Sequence, residues 1–493
     1  MNRSSRLRAV IVAVAAVLTL FAWGLASAPG SSPDDDFHLS SIWCARGLSP
    51  DRCEAVRDDP AVRLVPVQVA GVACYAFVNA TSAACQNAFR DDVVPNTPSS
   101  KGNWDHLYPP VFYAVMSPLV THDLETSVLL MRALNSLVTV AMVGSLMLLL
   151  PRRHRVLAAL PLVLTSVPLG LSLFASTNPS SWAVVSAATL WPALYASFET
   201  TGRRFWALQV FAVVSAVLGA GSRGDACLFT VMAVGLVLLL RLPELRRRPV
   251  VLVTMAVCVL VSAFFFLHAG QSSTVTAGLG AQPAGIPWKQ LTVTNAQALP
   301  VIWFGSLGYG LMGGTGWLDT TFPAVVGFAT VAVWGGVLFA SLGRVSLRKG
   351  AALGLVVSAL VVYPLYVLGR SGLTVGAGFQ PRYVLPLLVI LTGIGLLGVR
   401  GWDLRLGTVQ SVVVVVLLAT AHVVALYTQI RRYVTGLDVS GLDLDAHREW
   451  WWGGPVSATA VWVVGSVAFA VLVAGIVWDR RRDGAAQAQD ALA

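Results

Sequence analysis

Charge is scarce in this chain. Asp, Glu, Lys and Arg make up only 12% of its 493 residues, against 56% apolar residues, and the mean hydropathy is +0.71. Soluble domains carry about 25% charged residues, so a soluble enzyme or carrier is excluded. Cysteine and histidine are also few, six and seven in all, and no Cys/His spacing matches a zinc site. No connector interleaves bases with aromatics, so nucleic acid is not an expected partner. No internal repeat is evident, and low complexity is confined to the Ala/Gln/Asp tail after Asp483.

What is present is a series of apolar runs, each about 17 to 22 residues long and sufficient to cross a bilayer. Twelve are expected: about 8–28, 127–150, 156–175, 181–199, 205–221, 226–240, 250–269, 322–342, 350–368, 382–399, 407–427 and 457–478. The fold class is therefore an all-α integral membrane protein of about twelve transmembrane helices with a large first loop. The weakest boundary lies between 205–221 and 226–240, which only Ser222-Arg223-Gly224-Asp225 separates.

The net charge of +10 is unevenly placed. Arg3/Arg6/Arg8, Arg152/Arg153/Arg155, Arg203/Arg204, Arg241/Arg246/Arg247/Arg248, Arg344/Arg348/Lys349, Arg400/Arg405 and Arg480/Arg481/Arg482 all fall on one side of a twelve-span arrangement. These are 20 of the 34 basic residues. By the positive-inside rule that side is cytoplasmic. Both termini are then cytoplasmic and the location is the plasma membrane, multi-pass. Ala26-Ser27-Ala28 resembles a signal-peptidase site, but the length of the apolar stretch favours an uncleaved anchor.

The chain divides into an anchor (1–28), an extracytoplasmic loop (29–126), a polytopic bundle (127–478) with outer loops 268–321, 369–381 and 430–456, and a cytoplasmic tail (479–493). The first loop holds Cys44, Cys53, Cys74 and Cys85, an even number in an oxidising compartment, which implies two disulfides. Three pairings are open, of which Cys44–Cys53 with Cys74–Cys85 closes the shortest loops. Cys227 and Cys258 lie in apolar runs and read as packing residues. In the fourth outer loop, Trp450-Trp451-Trp452 suits an interfacial aromatic belt better than a sugar-stacking surface.

Polar residues gather at the outer ends of the runs. Asp34, Asp35 and Asp36 follow the first span directly, and clustered carboxylates repel one another unless an ion, a base or chemistry justifies them. Asp105 and His106 precede Tyr108-Pro109-Pro110. Arg132 and Asn135 lie inside the second run, and an intramembrane Arg is a functional candidate by default. Asn178-Pro179, Arg223 with Asp225, Asp319, and Gln380-Pro381-Arg382-Tyr383 complete the set. Antiparallel spans bring these ends together, giving carboxylates and guanidiniums suited to an anionic, lipid-linked substrate.

Six motifs in register resemble one family. Pro33-Asp34-Asp35-x-x-His38 is similar to the Pro-Asp-Glu-x-x-His signature of the DUF2142 family of predicted multi-spanning membrane proteins. Tyr108-Pro109-Pro110-x-Phe112-Tyr113, Arg132-x-x-Asn135, Ser176-x-Asn178-Pro179, Gly316-Trp317-Leu318-Asp319-Thr320 and Gln380-x-Arg382-Tyr383-x-x-Pro386 resemble its further motifs in order. Asp35 stands where the family usually has Glu, and Pro381 where it has a small residue.

The resemblance implies an architecture similar to GT-C glycosyltransferases, which take sugars from polyprenyl-phosphate donors at the outer membrane face. On that reading Asp34 or Asp35 is the general base, and Arg382 with Arg132 or Arg223 holds the departing phosphate. His38, Asp105 or His106 orients a sugar, and Asp319 and Trp317 shape the pocket. Asn178, Gln380 and Tyr383 join the substrate-binding set. A divalent ion (Mg or Mn) at the acids is an option. The implied partners are the bilayer, a polyprenyl-phosphate-linked sugar and an envelope glycan or glycolipid acceptor. A transporter or lipid flippase, or a non-catalytic envelope-assembly protein, is the alternative.

Overall fold

The computed structural model describes residues 3–50, 52–89, 95–273, 278–279, 283–343, 345–398 and 406–490. Helix α1 (Arg3–Leu25) leads into α2 (Asp35–Cys44), strands β1 (Glu54–Val56) and β2 (Asp59–Pro66), α3 (Val67–Ala70), β3 (Asn96–Ser99) and α4 (Val111–Met116). The three strands form one antiparallel sheet with β2 in the middle, Glu54 opposite Leu64 and Val65 opposite Thr97. This sheet adds a small strand element to a chain expected to be all-α, within the segment expected only as a disulfide-bearing loop. Its segments are too short and too mixed for a span, and they satisfy their backbone groups by pairing.

The first loop also carries the disulfides Cys44–Cys53 and Cys74–Cys85, the local pairing among the three open ones. Cys227 and Cys258 are free and buried.

The bundle follows. Helix α5 (Leu124–Leu149) starts at Asp123, whose carboxylate accepts from the Thr126 N–H at 2.7 Å, the usual N-cap bond. After it come α6 (Val156–Thr165), α7 (Leu169–Phe174), α8 (Ser180–Ser197), α9 (Gly202–Ala220), α10 (Ala226–Leu240) and α11 (Pro249–His268). The last six are α12 (Trp288–Gly305), α13 (Ala324–Ser341), α14 (Leu347–Ser371), α15 (Leu385–Gly395), α16 (Thr408–Val434) and α17 (Ala458–Asp490).

Eight helices among the described residues are long and apolar enough to cross a membrane: α1 from Arg6, α5, α9, α11, α13, α14, α16, and α17 as far as Val477. The other four expected spans take different forms. Run 156–175 is broken into α6 and α7, because Pro168 lacks the N–H that a continuous helix needs. Runs 226–240 and 382–399 are the short helices α10 and α15, and 181–199 is α8. All of α15, and all of α8 except Tyr195, is buried. A helix enclosed by protein needs no unbroken apolar surface, so α8 tolerates Ser180, Ser181, Ser186 and Thr189. It packs against α5, α9, α10 and α15, while Leu260 of α11, Phe328 of α13 and Val362 of α14 stay exposed on the periphery.

The expected loop 268–321 contains a helix that hydropathy does not reveal. Helix α12 buries one stripe (Leu291, Asn295, Leu299 and Ile302) and packs on α14. Asn295 fixes it by donating to the Leu373 carbonyl at 2.9 Å and accepting from the Val375 N–H at 2.9 Å.

Contacts sort the connectors into two ends. At one end Glu199 accepts from Arg153 at 2.5 Å and His154 at 2.7 Å and pairs with Arg241, tying three connectors. Arg344, Arg400 and Arg405 lie outside the described residues, as do the side chains of Arg3 and Arg480 to Arg482. At the other end the Gly270 N–H donates to the His106 carbonyl and the Val111 N–H to the Gly221 carbonyl, both at 2.9 Å. Trp450, Trp451 and Trp452 are buried at this second end and offer no open belt or stacking face. Their indoles close chain ends instead, Trp452 donating to the Leu25 carbonyl at 2.8 Å and Trp451 to the Val456 carbonyl at 2.7 Å.

Candidate functional site

The turn that leaves α1 sets up the site. Gly30 sits at φ 78, where a Cβ would lie 2.6 Å from the Val72 carbonyl oxygen, so the chain passes against the first-loop body only with glycine there. Arg132 of α5 then clamps this exit. Its guanidinium donates to the carbonyls of Gly24 (2.7 Å), Ala28 (2.6 Å) and Ser27 and to Ser31 Oγ (3.0 Å). With those donors occupied, Arg132 holds the backbone that leads to the acids, and the structure does not bring it to the cluster as a phosphate ligand.

The three consecutive acids part company at the start of α2. Asp34 takes a left-handed conformation (φ 61), and its carbonyl accepts from the Phe37 and His38 N–H groups at 3.0 and 2.9 Å, which starts the helix. Asp is one of the few side chains that enter this region readily. Its carboxylate turns to Arg382 and is 39% exposed, whereas the Arg382 side chain is 1% exposed. Burial pushes the Asp34 carboxyl up, but the charge and hydrogen bond of Arg382, with His38 and Arg223 adding to them, bring the net shift downward.

Asp35 is fully buried. Its oxygens accept from Thr177 Oγ1 at 2.8 Å and the Ser32 N–H at 3.1 Å. Burial raises its carboxyl to about 6, with Arg132 opposing. Asp36 pairs with the exposed Lys101 and accepts from the Phe37 N–H at 2.8 Å. Of the three acids Asp34 has the most exposed side chain, whereas Asp35 is enclosed and Asp36 is engaged by Lys101.

Two arginines share one ring. Arg223 lies 5.0 Å and Arg382 5.1 Å from the Tyr383 ring centroid, within cation–π range. They differ in how they are held. Arg223 makes a two-point pair with Asp225 (2.9 and 2.7 Å) and donates to Ser180 Oγ at 3.1 Å. Arg382 donates to the Pro33 carbonyl and to Tyr383 Oη, each at 3.2 Å, and meets Asp34 through one nitrogen. Asn178 steadies the same segment by donating to the Pro33 carbonyl at 2.7 Å.

His38 lies within the electrostatic reach of Asp34, Arg382 and Arg223. It is buried, its Nδ1 lies 3.0 Å from Tyr113 Oη, and its Nε2 has no hydrogen-bond partner among the described residues. Burial, reinforced by Arg382 and Arg223 against the pull of Asp34, lowers its imidazole to about 3. His38 is therefore neutral at physiological pH, able to donate or accept one bond but not to supply charge. Tyr108 packs 5.3 Å from the His38 ring and 5.9 Å from Arg223, and burial raises its phenol to about 12.

Other expected members lie elsewhere. Asp105 and His106 are exposed in the turn before Tyr108, and among the described residues no hydrogen bond or ion pair joins either side chain to Asp34, Arg223 or Arg382. Gln380 contributes its carbonyl, which accepts from the Tyr383 N–H at 3.0 Å. Asp319 is buried against Arg432 at 2.7 Å and accepts from the Phe77 N–H at 3.0 Å, and Trp317 donates to the Gly30 carbonyl at 3.0 Å. These two pin the first-loop body to the bundle. Arg432 was legible as an Arg at the outer end of an apolar run, the same signal that marks Arg132.

Magnesium or manganese finds no convergent donor set at the acids. The three carboxylates face three different partners, and among the described residues no group of three or more His, Cys, Asp or Glu side chains could hold a metal ion.

The model of the family DUF2142, described as a predicted membrane protein, matches residues 17–391, from within α1 to within α15. No curated protein matches the chain. The match takes in Asp34, Arg223 and Arg382 and covers well over half of the sequence. The chain belongs to the DUF2142 family of predicted membrane proteins.

Proposed function

We propose that the protein is a membrane glycosyltransferase that moves a sugar from a polyprenyl-phosphate donor to an envelope glycan or glycolipid at the extracytoplasmic face. The observation that carries this reading is the contact between Asp34, a solvent-reachable carboxylate, and Arg382, a buried guanidinium. It lies at the end of the bundle opposite the basic connectors. Asp34 takes the proton of the acceptor hydroxyl as it attacks the sugar carbon. The bond from that carbon to the phosphate oxygen breaks, and the phosphate leaves with its charge met by Arg382 and the field of Arg223. Neutral His38 and Tyr108 orient the sugars.

The topology is part of the proposal. The eight long helices, the broken pair α6/α7, and α8, α10 and α15 make twelve crossings. Both termini are then cytoplasmic in the plasma membrane, and the disulfide-bonded first loop lies outside.

A transporter or flippase is the second reading, and the broken α6/α7 favours it, since discontinuous helices often form substrate paths. That break packs instead against Gly308, where a Cβ would lie 2.7 Å from Pro168 Cδ. The charged residues sit at the helix ends, which supports the enzyme.

The test is complementation of a deletion strain with wild type, Asp34→Asn and Asp35→Asn, read as envelope sugar composition with protein level followed by blot. A sugar that returns with wild type but not with well-expressed Asp34→Asn supports transfer. Its return with Asp34→Asn at equal expression overturns the assignment of the base and moves the reading to a transporter or scaffold.

A further inference from the structure

The two arginines of the site are satisfied in unequal ways. Arg223 is closed by a two-point pair with Asp225, whose side chain is 16% exposed, and by a third bond to Ser180. Arg382 meets a single carboxylate through one nitrogen, and that carboxylate belongs to the most exposed acid of the cluster. Arg382 Nε and His38 Nε2 are buried beside this contact without partners among the described residues. A buried guanidinium with an incomplete set of acceptors suits an oxyanion bearing several oxygens.

We propose, resting on the reading above, that the Asp34 carboxylate stands on Arg382 in the place of a substrate phosphate. A phosphate monoester or diester entering the site displaces it. The exchange needs only rotation of the Asp34 side chain. Its backbone turn is held independently by the bonds from Phe37 and His38 to the Asp34 carbonyl. Arg382 keeps its own position through the Pro33 carbonyl and Tyr383 Oη.

The exchange also orders the reaction. While bonded to Arg382, Asp34 is a weak base, because that contact, together with the field of Arg223 and His38, draws its carboxyl down against the upward push of burial. Displaced by the phosphate, it loses that partner and gains proton affinity. The base thus becomes competent only once the donor is seated. Water reaching the site without donor meets a carboxylate that is already engaged.

The test is direct binding of farnesyl monophosphate, with inorganic phosphate as a second arm, to the full chain in a phosphate-free detergent by titration calorimetry. Removing the internal competitor makes Asp34→Asn bind farnesyl monophosphate about tenfold tighter than wild type. Arg382→Gln loses binding at least thirtyfold, and Arg382→Lys, which keeps the charge in case Arg382→Gln fails to fold, loses about tenfold. Equal tightening toward inorganic phosphate supports the exchange with free phosphate as occupant, whereas tightening confined to the prenyl probe assigns a lipid-linked one. Unchanged or weaker binding by folded Asp34→Asn overturns the proposal, since Asp34 would then be positioning Arg382 and not competing for it. Tighter binding by Asp34→Asn without any sugar transfer by wild type keeps the phosphate exchange and removes the transferase reading. Transfer by wild type with no tightening in Asp34→Asn does the reverse.

Discussion

Asp319 and Arg432 form a buried ion pair at 2.7 Å, with the Arg432 side chain at 0% and the Asp319 side chain at 4% exposure. Arg432 also donates to the carbonyls of Tyr75 at 2.9 Å and Thr81 at 2.6 Å, and Asp319 accepts from the Phe77 N–H. One pair thereby joins α16, the segment before α13 and the first-loop body. Removing either partner strands the other charge away from water, which costs about 3–5 kcal/mol. Asp319→Asn and Arg432→Gln are each expected to lower the thermal midpoint in detergent sharply. The double variant should lose less than the sum, and strictly additive losses would show that the pair is not coupled.

Asp35 makes the fold sensitive to pH with a definite sign. Its carboxyl titrates near 6 in the folded protein and near 3.8 when unfolded. Between those values the native state holds more protons, so stability falls as pH rises through that window. The full penalty, about 3 kcal/mol, applies above it and vanishes below it. From pH 5 to pH 7 wild type should lose about 1 kcal/mol from this group, seen as a lower unfolding midpoint at pH 7. Asp35→Asn should flatten that difference, and an unchanged pH slope in the variant would rule out Asp35 as its source.

Much of this was legible in the sequence, for reasons the structure makes physical. Helices that face lipid need an unbroken apolar surface, so α5, α11, α13 and α14 announce themselves. Helices enclosed by protein do not, and α8 with its serines and α15 with only eleven residues carry weaker signals. Helix α12 is hidden altogether, because its buried stripe includes Asn295, held by the backbone at Leu373 and Val375. In the site, Asp34 and Arg382 could be named from motifs 348 residues apart, but the fate of each acid depends on one left-handed turn at Asp34. No periodicity encodes that turn. Arg132 and Asp319 carry a signal that does not tell one role from another, because burial of a charge marks structural clamps and ligand sites alike.

The Cys74–Cys85 disulfide encloses the carbonyls of Tyr75 and Thr81 that receive Arg432. A closed loop of this length contributes about 2–3 kcal/mol. Replacing both cysteines with serine should cost that much and should couple to Arg432→Gln in a double-mutant cycle. Alkylation gives an independent check. The denatured, unreduced protein should take up two groups, at Cys227 and Cys258, and the reduced protein six. Any uptake beyond two before reduction would contradict the pairing.

The orientation of the site in the membrane can be tested with two exposed positions at opposite ends of the bundle. Arg152 lies beside the Glu199 hub, among the basic connectors. Asp105 lies in the turn before Tyr108, at the end that carries Asp34. Positive charge is retained on the cytoplasmic side of short connectors, so a membrane-impermeant maleimide should label Asp105→Cys in intact cells and Arg152→Cys only after permeabilisation. Asp105→Cys should also keep its function, because its side chain stands outside the cluster formed by Asp34, Arg223 and Arg382. Labelling in the reverse order would put Asp34 in the cytoplasm, where a polyprenyl-linked donor presented at the outer face could not reach it. The disulfides would then face a reducing compartment, which opposes their persistence. Loss of function in a well-expressed Asp105→Cys, with labelling as expected, would instead widen the site to include the turn before Tyr108.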